Sequence, residues 1–240
     1  MKIIDLVLNI DGLILDDYTS LDDYIDSLNI NSTYPLTYQV LYEEEYMGKN
    51  IKGVYSTMGA SNHSERERER DDFYSTDPLA ITLLHRNGLL DDCEYWECAC
   101  GNGNLSKELL NLGYNVSLNT DLFDRGYGVS GVNFLECTTK FNGSIITNPP
   151  FKDLTDFILK GLELSSNKLY IFARIQTLET IKRWESIFMK YKPLYVCPFV
   201  KRIGCYPNGD ESYKNKAVCF GWFIWDVNNL DCETKVKWLL

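Results

Sequence analysis

The stretch Ser144–Phe151 reads SIITNPPF and carries the strongest structural signal in the chain. Its β-branched residues favour a buried parallel strand, and neither proline can donate to a strand ladder, so the strand is predicted to stop at Asn148. The two prolines fix φ and stiffen the exit, which places an amide, a carbonyl and an aromatic ring at one strand end. Because ligands of open α/β sheets bind at the carboxyl ends of strands, the stretch predicts a site for a flat, polar group.

The sequence around this stretch predicts an α/β domain. Apolar runs alternate with amphipathic segments through residues 92–200, which argues for a parallel sheet. The predicted strands are 114–121, a short strand end at 131–135, 144–148, 168–174, 195–200 and 219–225, and the predicted helices are 79–84, 105–112, 154–164 and 180–191. Residues 204–210 are turn-like, and no helix separates the last two strands, so these are expected to pair antiparallel.

Charge is distributed unevenly along the chain, whose net charge is −10. Residues 1–50 carry a net charge of −8 and are expected to form an acidic accessory segment, with a possible role in protein contact. Residues 179–216 carry a net charge of +4 and form a candidate phosphate-facing surface. Both regions could equally be solvated faces.

Cysteine content and hydropathy indicate the compartment of the protein and argue against a membrane span and a metal site. The eight cysteines are dilute, and with no secretory signal they indicate reduced thiols in the cytoplasm. No apolar run approaches the length of a membrane span. Cys98 and Cys100 have no second cysteine pair and only two histidines to join them, so no metal site is expected.

A glycine turn follows the predicted strand near Trp96. Gly101 and Gly103 let backbone approach a ligand closely, although Ser106 stands where a dinucleotide-binding fingerprint has its third glycine. Asp121 follows Gly103 by 18 positions, where an acid can accept hydrogen bonds from ribose hydroxyls. A surface aspartate at a strand end is the alternative.

The segment before the first predicted helix suits a helix cap. Thr76 or Asp77 is expected as the N-cap residue, with Pro78 at the first helical position. Hydroxyls and free amides at a helix start also suit a ligand carboxylate.

Motifs of other chemistries are missing from the sequence. It holds no P-loop lysine pattern and no G-x-S-x-G elbow, and two histidines leave little room for a Ser-His-Asp triad. No cysteine follows a proline, as cytosine-C5 chemistry would need.

The chain resembles the class I S-adenosylmethionine-dependent methyltransferases, in particular the DNA adenine-N6 group marked by Asn-Pro-Pro-Phe/Tyr. Within that group it most resembles the small adenine methylases encoded by phages and prophages. The resemblance covers about residues 58–240 and is carried by Asn148–Phe151 together with the upstream Ala99-Cys100-Gly101-x-Gly103. It implies a Rossmann-like fold over residues 51–240, with a mostly parallel sheet, an antiparallel C-terminal strand and helices on both faces.

The resemblance also implies the residues that bind S-adenosylmethionine. Glu97 and Cys98 depart from the usual Asp-Pro, but Glu97 keeps a charge for the methionine ammonium group. Asn133 likewise replaces an aspartate that meets the cofactor adenine. The full set consists of Tyr74, Ser75 and Thr76 for the methionine carboxylate, Glu97, Ala99, Gly101 and Gly103 around the turn, Asp121 for the ribose, and Asn133 and Phe134 for the adenine.

The implied reaction is direct methyl transfer to the N6 amino group of a flipped-out adenine in DNA. Asn148 and the Pro149 carbonyl would accept the amino hydrogens, Pro150 would stiffen the exit, and Phe151 would stack on the base. The expected backbone contacts are Arg183, Lys201 and Arg202, which would position DNA without reading its sequence. Two alternatives stay open: methylation of an RNA base or a protein glutamine, and a non-catalytic binding module.

Overall fold

The computed structural model describes residues 73–207 and 218–240. The predicted acidic segment 1–50 lies outside these residues, as does the charge run 65–72. In chain order the strands are β1 (Tyr74–Thr76), β2 (Glu94–Glu97), β3 (Asn115–Asn119), β4 (Ser144–Thr147), β5 (Lys168–Arg174), β6 (Tyr195–Pro198), β7 (Cys205–Pro207), β8 (Phe220–Asp226) and β9 (Lys235–Val236). The α-helices are α1 (Leu79–Arg86), α2 (Asn104–Asn111), α3 (Leu154–Leu164) and α4 (Ile181–Arg183), and α4 continues as a π-helix over Trp184–Phe188.

Seven strands form the central sheet in the order β3-β2-β4-β5-β8-β6-β9. Among them β8 runs antiparallel to both of its neighbours, and the other described pairs are parallel. The chain passes from β2 outward to β3 and then returns to the other side of β2 as β4. This reversal creates a switch point at the carboxyl ends of β2 and β4, where open α/β sheets bind ligands.

Helices cover both faces of the sheet. On one face α1 and α2 pack against Tyr95, Ile146 and Tyr170. On the other face α3 and the π-helix pack against Trp96 and Ile145, among other residues. The strands that are buried on both sides have continuous apolar runs, as parallel strands usually do. The predicted fold, with a mostly parallel sheet, an antiparallel C-terminal strand and two helical layers, is confirmed.

The predicted α3 and β5 match the structure at both ends. In α3 the buried residues recur at helical spacing, and Gly161 brings the helix backbone close to Leu169 in the sheet. The strand predicted to stop at Asn148 has Thr147 as its last residue. No helix in the described parts of the chain is long and apolar enough to cross a bilayer.

Three other predictions are wrong in detail. The expected strand end at 131–135 is instead a 3₁₀ turn over Phe134–Glu136, since the Asn133 side chain caps it by accepting from the Leu135 N–H at 3.2 Å. The expected helix 180–191 begins at Ile181 and changes to π-helical geometry at Trp184.

The third error concerns residues 204–210, which were predicted to form a turn. Within the described part of this segment, Cys205–Pro207 form β7, which pairs antiparallel with β1. The resulting two-stranded sheet is separate from the central one. It brings the chain segment before α1 to the segment after β6, and both lie beside Asn148.

Candidate active site

A pocket lies at the carboxyl ends of β2, β3 and β4, at the switch point of the sheet. Its walls bring together both signals found in the sequence, the glycine turn and the Asn-Pro-Pro stretch. The predicted site residues that line it are Tyr74, Ser75, Thr76, Glu97, Ala99, Gly101, Asp121, Asn133, Phe134, Asn148, Pro149 and Pro150. Gly103, Phe151 and the three predicted DNA contacts do not line it.

The glycine turn joins β2 to α2, and its glycines are required by the backbone. Gly101 has φ +54° and Gly103 has φ +80°, a region that side chains with a Cβ rarely adopt. A Cβ on Gly101 would also lie 2.5 Å from the Phe73 ring, and one on Gly103 would meet the Tyr127 ring. Aromatic rings therefore pack directly on both glycines. Gly103 also precedes α2 as its N-cap.

Glu97 is buried at the end of β2. One of its carboxyl oxygens, Oε2, accepts from the Ser106 N–H at 3.0 Å and from the Ser106 hydroxyl. Burial raises the pKa of Glu97 to about 8, and the bonds from Ser106 offset only part of that effect. The carboxyl group is therefore mostly protonated at neutral pH in the ligand-free chain. A cation placed beside it would draw it to the charged form.

The neighbouring thiols are neutral packing groups. Cys98, which stands at the usual proline position, is buried in the core on the α3 face. Burial raises the pKa of Cys98 well above its usual value and that of Cys100 to about 12. Thiols in that state are poor metal ligands and poor nucleophiles. Within residues 73–207 and 218–240, no group of three or more histidine, cysteine or acidic side chains could hold a metal ion.

Asp121 lies just after β3 and is held by backbone donors. Its Oδ2 accepts from the Gly101 N–H at 2.8 Å, and its Oδ1 accepts from the Phe123 N–H at 2.9 Å. The carboxylate thus fixes the glycine turn against the β3 exit. Each carboxylate oxygen can accept a further hydrogen bond, so the group can still serve a ligand hydroxyl.

Asn148 has a defined amide orientation. Its Nδ2 donates to the Tyr74 carbonyl oxygen at 3.0 Å and to the Thr76 hydroxyl at 2.9 Å. A backbone carbonyl can only accept, so the amide nitrogen must face Tyr74 and the amide oxygen must face away. The Asn148 Oδ1 is buried, and no group among the described residues donates to it.

β1 supplies both acceptors and is itself tied to the glycine turn. The Asn104 side chain donates to the Ser75 hydroxyl at 2.7 Å and to the Thr76 carbonyl oxygen at 3.1 Å. The Ser75 hydroxyl in turn donates to Asn102 at 3.0 Å. The three predicted carboxylate-binding residues of β1 therefore connect the glycine turn to Asn148.

The Phe151 ring belongs to an aromatic column on the face that α1 and α2 cover. It stacks on Phe220 at 6.2 Å between centroids with a 22° interplanar angle, and Phe220 stacks on Phe172 at 5.0 Å. Tyr74 contacts the same ring at 5.0 Å. The guanidinium carbon of Arg174 lies 4.5 Å from its centroid.

The predicted DNA contacts lie in two different segments, Arg183 in α4 and the other two after β6. Arg183 donates through Nη1 to the carbonyl oxygens of Gln176 and Glu179 at 3.1 and 3.2 Å, so its guanidinium braces the segment that precedes α4. Lys201 and Arg202 are exposed in the segment that leads into β7. The structure does not bring these three residues into the pocket.

Several residues of the site were missed by the sequence analysis. Asn102 and Asn104 bond to β1, and their place next to the two glycines was an available signal. Phe73 and Arg125 line the pocket, with the Arg125 guanidinium carbon 4.2 Å from the Phe73 ring centroid. Nothing in the sequence pattern links these two residues, because 51 positions lie between them.

Comparisons with known proteins give matches among solved structures. No protein-family model matches the chain, and no curated protein matches it. The solved structures that match include class I methyltransferases. One is assigned as an RNA methyltransferase from Pyrococcus horikoshii, with 17% identity, 62% of this chain and 81% of that chain covered, and a TM-score of 0.46.

Two further matches have the same TM-score. One is assigned as a class I S-adenosylmethionine-dependent methyltransferase from Listeria monocytogenes, with 12% identity over 77% of this chain and 70% of that chain, at a TM-score of 0.46. The other is the methyltransferase subunit of a type I restriction-modification system from Streptococcus thermophilus, with 13% identity over 64% of this chain and 44% of that chain, at a TM-score of 0.46.

Proposed function

We propose that this chain transfers a methyl group from S-adenosylmethionine to the N6 amino group of adenine in DNA. The observation that carries the proposal is the state of Asn148. Both hydrogens of its amide nitrogen are engaged by β1, and its Oδ1 is a buried acceptor with no donor among the described residues. An unpaired buried acceptor costs about 1–3 kcal/mol, so its presence calls for a partner.

An exocyclic amino group provides the missing donor. It carries two hydrogens, and the Asn148 Oδ1 and the adjacent Pro149 carbonyl oxygen are two acceptors at one strand exit. Accepting both hydrogens directs the nitrogen lone pair away from them. The prolines fix the exit, so the amino group is positioned without reorganisation of the backbone.

The residues of the pocket fit S-adenosylmethionine. Glu97 and Asp121 present carboxyl groups for an ammonium group and for ribose hydroxyls, and Asn133 and Phe134 close the far wall. When bound, this cofactor would supply an electrophilic methyl group. The chain's own contribution is to hold the amino nitrogen, and no covalent enzyme intermediate is needed. Arg183, Lys201 and Arg202 remain our candidates for contacts with the DNA backbone.

Methyl transfer to unmethylated plasmid DNA tests the proposal. With tritiated S-adenosylmethionine, we expect label in N6-methyladenine after digestion to nucleosides. Asn148→Ala is expected to abolish transfer while retaining affinity for S-adenosylhomocysteine by calorimetry. Asn111→Ala, at an exposed position ending α2, is the matched control and should transfer like the wild type.

Other outcomes would redirect or overturn the assignment. Label in RNA or in a glutamine-containing peptide, and not in DNA, would replace adenine in DNA as the substrate. A wild-type chain that binds neither S-adenosylmethionine nor S-adenosylhomocysteine would be a non-catalytic module. Wild-type turnover by Asn148→Ala would show that Asn148 has no role in the methyl transfer.

A further inference from the structure

We infer that Arg174 binds a phosphate of the nucleic-acid strand that carries the target base; the inference rests on the proposed function. Arg174 is the last residue of β5, the strand next to β4. Its backbone therefore lies at the same sheet edge as Asn148. Its guanidinium carbon is 4.5 Å from the Phe151 centroid, one residue beyond the Asn-Pro-Pro segment.

The ring under Arg174 is held in place. Phe151 stacks on Phe220, and Phe220 stacks on Phe172 in the core. The guanidinium therefore lies on a platform fixed by the sheet itself. An arginine positioned in this way loses less side-chain freedom when it forms hydrogen bonds.

Its hydrogen-bonding groups are unused. The Arg174 side chain is exposed, and among the described residues it makes no hydrogen bond and has no carboxylate within 4.0 Å. Arg183, by contrast, donates to two carbonyl oxygens of the segment that precedes α4. The five N–H donors of the Arg174 guanidinium are thus available to a ligand at the edge of the site.

The ligand that matches these donors is a phosphate. A planar guanidinium binds phosphate oxygens through two parallel N–H bonds, which a lysine cannot do. The chain has a net charge of −10 and repels a polyanion overall, so an exposed cation at this sheet edge would attract a DNA strand locally. A base whose amino group is held by Asn148 would bring its own flanking phosphates to this edge.

The salt dependence of DNA binding tests the inference. Affinity for an unmethylated duplex is measured with S-adenosylhomocysteine present, for the wild type, Arg174→Gln and Arg174→Lys. Removing one phosphate contact should make the slope of log K against log salt shallower by about 0.9. Arg174→Gln should also weaken binding about tenfold, as expected for a charged hydrogen bond. Arg174→Lys should retain the slope, because the charge is kept, but only part of the affinity, because the two parallel N–H bonds are lost.

Arg86→Gln makes the same charge change at an exposed position in the last turn of α1 and should leave the slope unchanged. An unchanged slope in Arg174→Gln overturns the inference, including where that variant loses activity, since the arginine would then only support Phe151. If the slope is unchanged in Arg174→Gln and the wild type methylates DNA, only the inference about Arg174 is wrong. A wild type that binds DNA but methylates no adenine fails the proposed function alone, because the slope still reports the phosphate contact.

Discussion

The amide nitrogen of Asn148 donates to the carbonyl oxygen of Tyr74 at 3.0 Å, across 74 positions of sequence. The bond joins the exit of β4 to β1, an element outside the central sheet. It determines which end of the Asn148 amide is left unpaired. The acceptor that we assign to catalysis is therefore set by the backbone of a three-residue strand rather than by Asn148 itself.

The Thr76 hydroxyl shares this role, and Thr76→Val is expected to slow methyl transfer about five- to tenfold. Valine keeps the side-chain shape but removes the second acceptor of the Asn148 amide, a loss of about 1 kcal/mol. Single-turnover transfer measures the effect, with Thr76→Ser as the control that retains the hydroxyl. If cofactor affinity falls while the transfer rate stays unchanged, the hydroxyl serves the cofactor and not Asn148.

Stability of the ligand-free chain should depend on Glu97. Its pKa is about 8 in the folded chain, against a usual value of 4.5. Between pH 4.5 and pH 8, the carboxyl group is therefore protonated in the folded state and ionised in the unfolded state. Stability from this group is therefore complete below about pH 4.5 and is lost as pH rises toward 8, by up to a few kcal/mol.

Glu97→Gln removes that dependence. We expect the free energy of unfolding in urea, measured at pH 6 and pH 9, to fall less for the variant than for the wild type. Glu185→Gln, at an exposed position in the π-helix, controls for loss of a carboxyl group. Parallel curves for wild type and Glu97→Gln would show that the carboxyl is already ionised in the folded state.

Ligand binding should release a proton from the same group. An ammonium group beside Glu97 lowers its pKa, so binding of S-adenosylhomocysteine near pH 7 should expel a fraction of a proton. Calorimetry in two buffers of different ionisation enthalpy measures that fraction. Glu97→Gln should bind without it, and an equal release by wild type and variant would assign the proton to another group.

The sequence predicted the central sheet because its signals are local. In β5 and α3 the apolar pattern extends over seven and eleven residues, and both were placed correctly at both ends. The pairing of β1 with β7 could not be found in this way. Each strand has three residues, and their pairing joins Thr76 to Cys205 across most of the domain.

The candidate site likewise has features that local sequence predicts and features that depend on long-range pairing. Glycine spacing and the prolines are local features. They identified Gly101, Asp121 and Asn148, which the structure brings to one sheet edge. The orientation of the Asn148 amide and the contact of Arg174 with Phe151 depend on which strands are neighbours. An isolated arginine at a strand end has no pattern that would reveal this contact.

The glycine turn offers a matched comparison, in which Gly101→Ala should destabilise the chain more than Gly113→Ala. Both glycines have positive φ, +54° and +88°, so both variants incur a backbone cost of about 1 kcal/mol. A Cβ at Gly113 meets nothing within 4 Å, whereas at Gly101 it meets the Phe73 ring at 2.5 Å. Urea unfolding of the two variants therefore isolates the steric part. In a Phe73→Ala background, adding Gly101→Ala should cost only about as much as Gly113→Ala costs in the wild type. An undiminished cost of Gly101→Ala in that background would show that the ring is not the obstacle.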